Sequence, residues 1–180
     1  SPDSASMKLR DVQPERLDTL PHDDAVARRI HCDILGYNRL MGNFRWMRRQ
    51  LERELRPGDR LLEIGAGRGE LLRVLDRAGL LKRAARVTAI DAICPRPAAC
   101  PEGVDWEVET AEAFGDYGRH NVIMSLLFLH QLSDAVLQEL GRRWSEADVI
   151  LAVEPRRHAL AYQLCRASRL IGYSRVGIGD

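Results

Sequence analysis

The sequence lacks any apolar run approaching the roughly 18 residues that a bilayer-spanning helix needs, and it opens without the hydrophobic core of a secretory signal. Those absences argue against a membrane protein or an exported one, and the expectation is a cytoplasmic protein. Cysteine is scarce. Four residues (Cys32, Cys94, Cys100 and Cys165) suit reduced thiols better than a disulfide framework in a chain of 180. Cys94 and Cys100 bracket C-P-R-P-A-A-C, but no C-x-x-C or Cys/His pair elsewhere completes a zinc set, so no metal site is expected. Charge of one sign is lacking too: 27 Lys+Arg against 26 Asp+Glu leave a formal net charge of +1. Without a basic field to hold a polyanion, nucleic acid is not an expected partner, and the paired arginines (28/29, 48/49, 142/143, 156/157) read as solvated helix faces.

What is present is one domain's worth of alternating apolar runs and amphipathic stretches. A helical signal runs from Asp24 until Gly36 stops it. A second follows, with Leu40, Phe44, Met47, Leu51 and Leu55 at helical spacing and Pro57-Gly58 as its end. From Arg60 the pattern changes to short apolar runs at 61–64, 86–91, 104–108, 121–126 and 149–154, with helices expected at 68–79, 133–143 (capped by Ser133) and 157–171. Runs this apolar have no wet face. They predict a mostly parallel sheet with helices on both faces, an α/β fold. Residues 1–56 form a lead and helical cap, and residues 57–180 the sheet domain.

The chemistry sits at the first run, L-L-E-I-G-A-G-R-G-E at Leu61–Glu70. Gly65, Gly67 and Gly69 let the backbone turn sharply and approach a ligand within a distance that a Cβ would prevent. A dinucleotide fingerprint would need glycine at position 70, where this chain has Glu70, which argues against NAD or FAD. Glu63, two positions before the first glycine, suits an ammonium. Asp91, at the end of the second run, has the spacing of a carboxylate that accepts from a ribose diol. An amino acid end and a nucleoside end are combined in S-adenosylmethionine.

E-I-G-A-G-R-G resembles motif I of class I S-adenosylmethionine-dependent methyltransferases, and I-D-A-I resembles their following acidic motif. W-E-V-E-T-A-E-A-F is similar to the third motif, with Thr110 where the family has aspartate. H-N-V-I-M-S-L-L-F-L-H-Q-L-S-D is similar to the fourth-strand segment, with Asn121 for the usual leading aspartate and Leu126 for a common asparagine. Upstream, Y-N-R-L-M-G-N-F-R-W-M-R-R resembles the corresponding segment of the quinone-biosynthesis C-methyltransferases. The resemblance implies a Rossmann-like fold and a small-molecule methyl acceptor. It places the methionine end of the cofactor on Glu63, Gly65, Ala66 and Gly67, the ribose on Asp91 with Ala92, and adenine on Thr110 with Ala111. Leu126 would pass near the methionine moiety through its backbone, and Arg45 would pair either with the cofactor carboxylate or with solvent.

His130, just beyond the fourth run, is the candidate catalytic residue, although we read it as a packing or cofactor-shelf residue ahead of a general base. In the family a sixth strand and an antiparallel seventh complete the sheet, and the nine residues Gly172–Asp180 are too few for both. The expectation is a fifth strand at an exposed edge, either in a truncated chain lacking strands six and seven or covered by a second copy of the chain, with weak or absent activity. Two other classes stay open: a cofactor-binding or interaction domain without turnover, and a nucleotide-linked oxidoreductase.

Overall fold

The computed structural model describes residues 35–154. Five strands, β1 (Arg60–Ile64), β2 (Arg86–Asp91), β3 (Val104–Val108), β4 (Val122–Leu126) and β5 (Val149–Val153), form one sheet in the order β3-β2-β1-β4-β5, and every pairing is parallel. Each matches its apolar run to within a residue at either end. The α/β fold class expected from the pattern is therefore the one observed.

Successive residues of β1 explain why its run carries no polar alternation. Leu61 packs into one core cluster with Phe44, Met47 and Leu51 of α1 (Asn43–Glu54) and Leu71, Leu72 and Leu75 of α2 (Glu70–Arg77). Leu62 and Ile64 pack into a second, with Phe114, Tyr117, Trp144 and Leu140 of α3 (Asp134–Arg143). Both faces of β1 are covered, so Leu61 to Ile64 are buried whichever way the side chain points, whereas the edge strands β3 and β5 keep exposed positions.

The helices depart from the sequence reading ahead of α1. Phe44, Met47, Leu51 and Leu55 are buried as the stripe predicts, but Leu40 is 74% exposed. Gly42 stands in the left-handed region (φ 72) and breaks the run, leaving 35–40 as a separate helical segment whose phase no longer matches α1. Downstream, α3 starts where expected, and the Ser133 hydroxyl accepts from Val136 N–H at 3.3 Å. The helix expected from Asp24 lies outside the described residues up to position 34, but Gly36 does not stop it, since the helical segment 35–40 runs through that glycine; the helix expected over 157–171 lies outside the described residues.

At the amino ends of the strands, Asn121 explains one departure from the family pattern. Its side-chain amide donates to Asp59 Oδ1 at 2.8 Å and to Asp148 Oδ2 at 3.0 Å, while its carbonyl oxygen accepts from Arg60 N–H at 2.8 Å. An aspartate there would face two carboxylates with no proton to offer.

Candidate functional site

The chain leaves β1 for β2 and β3 on one side of the sheet and reaches β4 and β5 on the other, so the strand order reverses beside β1. Helical connections diverge at such a point and open a crevice at the carboxyl ends of the strands. A cleft of about 350 Å3 lies there, lined by the ends of β1, β2 and β4, the loop after β3 and the segment before α1.

The glycine turn forms its floor. Gly65, Gly67 and Gly69 all have positive φ (68°, 56° and 69°), and Gly65 and Ala66 both donate backbone N–H to Ile90 O at 3.0 Å, which pins the turn to β2. A Cβ on Gly65 would stand 2.4 Å from Phe128 Cγ, so only glycine fits beneath that ring. Around Gly67, in contrast, no atom lies within 4 Å of where a Cβ would be.

Two carboxyl groups flank this floor under opposite conditions. Asp91 Oδ2 accepts from Gly67 N–H at 2.8 Å, and Oδ1 accepts from Ile93 and Cys94 N–H at 3.0 and 2.7 Å. Three donors orient the group; Oδ1, accepting two of them, is saturated, while Oδ2 keeps one lone pair for a ligand hydroxyl. Glu63 is only 2% exposed, and its Oε2 is buried with no hydrogen-bond partner among the described residues. Burial, reinforced by the nearby Glu70 and Asp91, pushes its carboxyl up to about 8, so at neutral pH Glu63 holds a proton. Cys94 is likewise no nucleophile: burial, with Asp91 beside it, pushes its thiol up to about 11.

Nine of the residues singled out from sequence meet in this one cleft: Glu63, Gly65, Ala66, Gly67, Asp91, Ala92, Thr110, Ala111 and Leu126. Thr110 Oγ1 accepts from Ala113 N–H at 3.2 Å and so caps its own turn, while Glu109 beside it brings a carboxylate to the cleft wall. Arg45 does not line the cleft. It is exposed on α1, whose contribution to the wall is the preceding Phe44. Trp46 is 43% exposed and also lies outside the lining.

His130 is not among the lining residues either. Its Nδ1 hydrogen-bonds with Glu154 Oε2 at 2.8 Å, in a half-buried pair. Sequence reasoning missed Asn38, Ile93, Leu127, Phe128 and Gln131, all of which line the cleft. Their positions depend on loops and on a turn at Leu127 (φ 54) that no local pattern announces.

No protein-family model and no curated protein matches the sequence. Solved structures do match. The plantazolicin methyltransferase BpumL in complex with SAH aligns with a TM-score of 0.59 at 14% identity, covering 87% of this chain and 62% of that one. The same methyltransferase with a monoazolic desmethylPZN analog and SAH aligns at 0.58, and with a pentazolic analog and SAH at 0.56, each at 14% identity over 86% of this chain and 61% of the other. This chain thus spans less than two thirds of the length of the structures it matches. At that identity the likeness speaks for architecture: the chain has the Rossmann-like α/β fold found in S-adenosylmethionine-dependent methyltransferases.

Proposed function

We propose that this protein binds S-adenosylmethionine in the cleft at the carboxyl ends of β1, β2 and β4 and transfers a methyl group to a small-molecule acceptor. The observation that carries the reading is Glu63, a buried carboxyl whose Oε2 has no partner among the described residues, set beside an open glycine turn. A buried acceptor without a donor is costly unless a ligand supplies one, and an ammonium does so best. The remaining residues fit the rest of that cofactor. Asp91 keeps capacity on Oδ2 for one ribose hydroxyl, the open space at Gly67 admits close backbone approach, and Ile93 with Ala111 offers apolar surface for a base. When bound, S-adenosylmethionine supplies an electrophilic methyl group on a sulfonium.

The protein's own work is to bind and align. Glu63 and Asp91 hold opposite ends of an elongated ligand, while Leu126, Leu127 and Phe128 wall the cleft with apolar surface that excludes water. The acceptor lies against the segment after β4 and the helical segment bearing Asn38, the part of the chain that resembles the quinone-biosynthesis C-methyltransferases. The SAH in the matched methyltransferase complexes supports the cofactor assignment. No helix among the described residues is long and apolar enough to cross a membrane. Cys94 and Cys100 are free thiols, in keeping with a cytoplasmic setting.

A second reading, a cofactor-binding domain without turnover, draws on the position of His130 outside the cleft lining. Calorimetric titration with S-adenosylhomocysteine (SAH), followed by incubation with methyl-labelled cofactor and a panel of small acceptors, separates the two. Binding with label transfer is the expected result. Binding without transfer to any acceptor favours the second reading, and no heat at millimolar ligand overturns both.

A further inference from the structure

After β4 the chain makes a turn whose four successive N–H groups are all taken up by the end of β5. Leu127 N–H donates to Val153 O at 2.7 Å. Phe128 and Leu129 N–H donate to Glu154 Oε1 at 3.2 and 2.9 Å, and His130 N–H donates to Glu154 Oε2 at 3.1 Å. The His130 ring adds its Nδ1 to Oε2 at 2.8 Å. One carboxylate therefore gathers four hydrogen bonds from three consecutive residues. Burial works against its charge, but the His130 ring and the backbone N–H groups of Leu129 and His130 outweigh it and hold Glu154 below the usual carboxylate range.

The segment so held does more than close a loop. Leu127 is the one non-glycine residue with positive φ among the described residues, a conformation that persists only when its surroundings impose it. The turn it makes lays the Phe128 ring on Gly65, with no room for even a methyl group between them. Leu126, Leu127, Phe128 and Gln131 line the cleft, whereas Glu154 does not touch it.

We propose that Glu154 is the positioning residue of this wall: its carboxylate holds residues 127–130 in the shape that sets Phe128 on the glycine turn and so sizes the ligand's berth. The inference rests on the cleft being a cofactor site, as proposed above. Without the carboxylate, three N–H groups lose their acceptor and the turn at Leu127 loses what imposes it. The wall would then sample other positions, and a ligand would have to reorder it on binding.

The test compares the wild type with Glu154→Gln and Glu154→Ala by SAH calorimetry and by amide hydrogen exchange. Glu154→Gln keeps one carbonyl oxygen for Phe128 and Leu129 but turns an NH2 group towards His130. It is expected to melt close to the wild type, to expose the His130 amide alone and to bind SAH about threefold more weakly. Glu154→Ala is expected to expose the amides of residues 128–130 and to weaken SAH at least about tenfold, the order that accompanies lost charge-assisted hydrogen bonds. Should the alanine variant fail to fold, the glutamine variant decides. Unchanged SAH affinity in a folded variant with exposed amides overturns the positioning role, leaving a purely structural clasp. Unchanged amide exchange overturns the clasp itself. Absence of SAH binding by the wild type overturns the cofactor reading and this inference with it.

Discussion

Glu63 carries the greatest electrostatic cost in the described part of the molecule, because it is buried between two further carboxyl groups, Glu70 and Asp91. Its folded value of about 8 stands above the ordinary 4.5, so the native protein keeps a proton that the unfolded chain has released. Between those values the folded state binds more protons, and stability falls as pH rises. The stability gained by protonating Glu63 is whole below about 4.5 and lost as pH passes 8. Glu63→Gln should remove that slope, which thermal melts from pH 5 to 9 would show as a flatter profile with a higher melting point than the wild type at pH 8. A ligand ammonium should also displace the proton. At pH 7, SAH titrated in two buffers of different ionisation enthalpy should release close to one proton with the wild type and none with the glutamine variant. Equal release from both would remove Glu63 from the binding event.

Among the elements, the parallel strands depend on ties that join their ends. β1, β4 and β5 are held at their amino ends by Asn121, which reaches Asp59 across 62 positions of sequence and Asp148 across 27. The side-chain amide is what two acceptors need. Asn121→Asp should therefore destabilise the protein by about 1–3 kcal/mol at pH 7, the cost of unpaired acceptors and added repulsion. Urea denaturation at pH 7 reads the loss, and an unchanged midpoint would overturn the role given to Asn121. α1 teaches a different lesson: the stripe from Phe44 to Leu55 predicted its buried face, but the single left-handed residue Gly42 removed Leu40 from it. Periodicity reports which residues share a face only while the helix is unbroken.

For the molecule as a whole, the two core clusters share β1, with Leu61 in one and Leu62 and Ile64 in the other. Neither face can come apart without exposing the strand that the other needs, so both should unfold together. Trp106 packs against the first cluster and Trp144 is buried in the second. Variants that keep only one of these tryptophans should give coincident urea midpoints by fluorescence once each is corrected for its own stability, and two separated transitions would show independent halves.

Much of this fold was legible beforehand, because strand position and burial are properties of a few neighbouring residues: five apolar runs became five strands. The glycine turn and the acidic residues at 63 and 91 were legible for the same reason, since a local conformation and a spacing along the chain announce them. Other features belong to the tertiary structure alone. Phe128 lies on Gly65, Glu154 gathers the N–H groups of 128–130, and Asn121 finds two aspartates only after the strands have taken their order and register. Arg45 and His130 carried the right chemistry for the cleft but fell outside its lining, since direction on a helix or turn is set by what packs behind it. The sequence by itself determined the fold class and that the glycine turn with its two acidic residues stands at the ends of the first two strands. Only packing between distant segments decided which side chains wall the cleft, because those contacts join residues with no local signal in common.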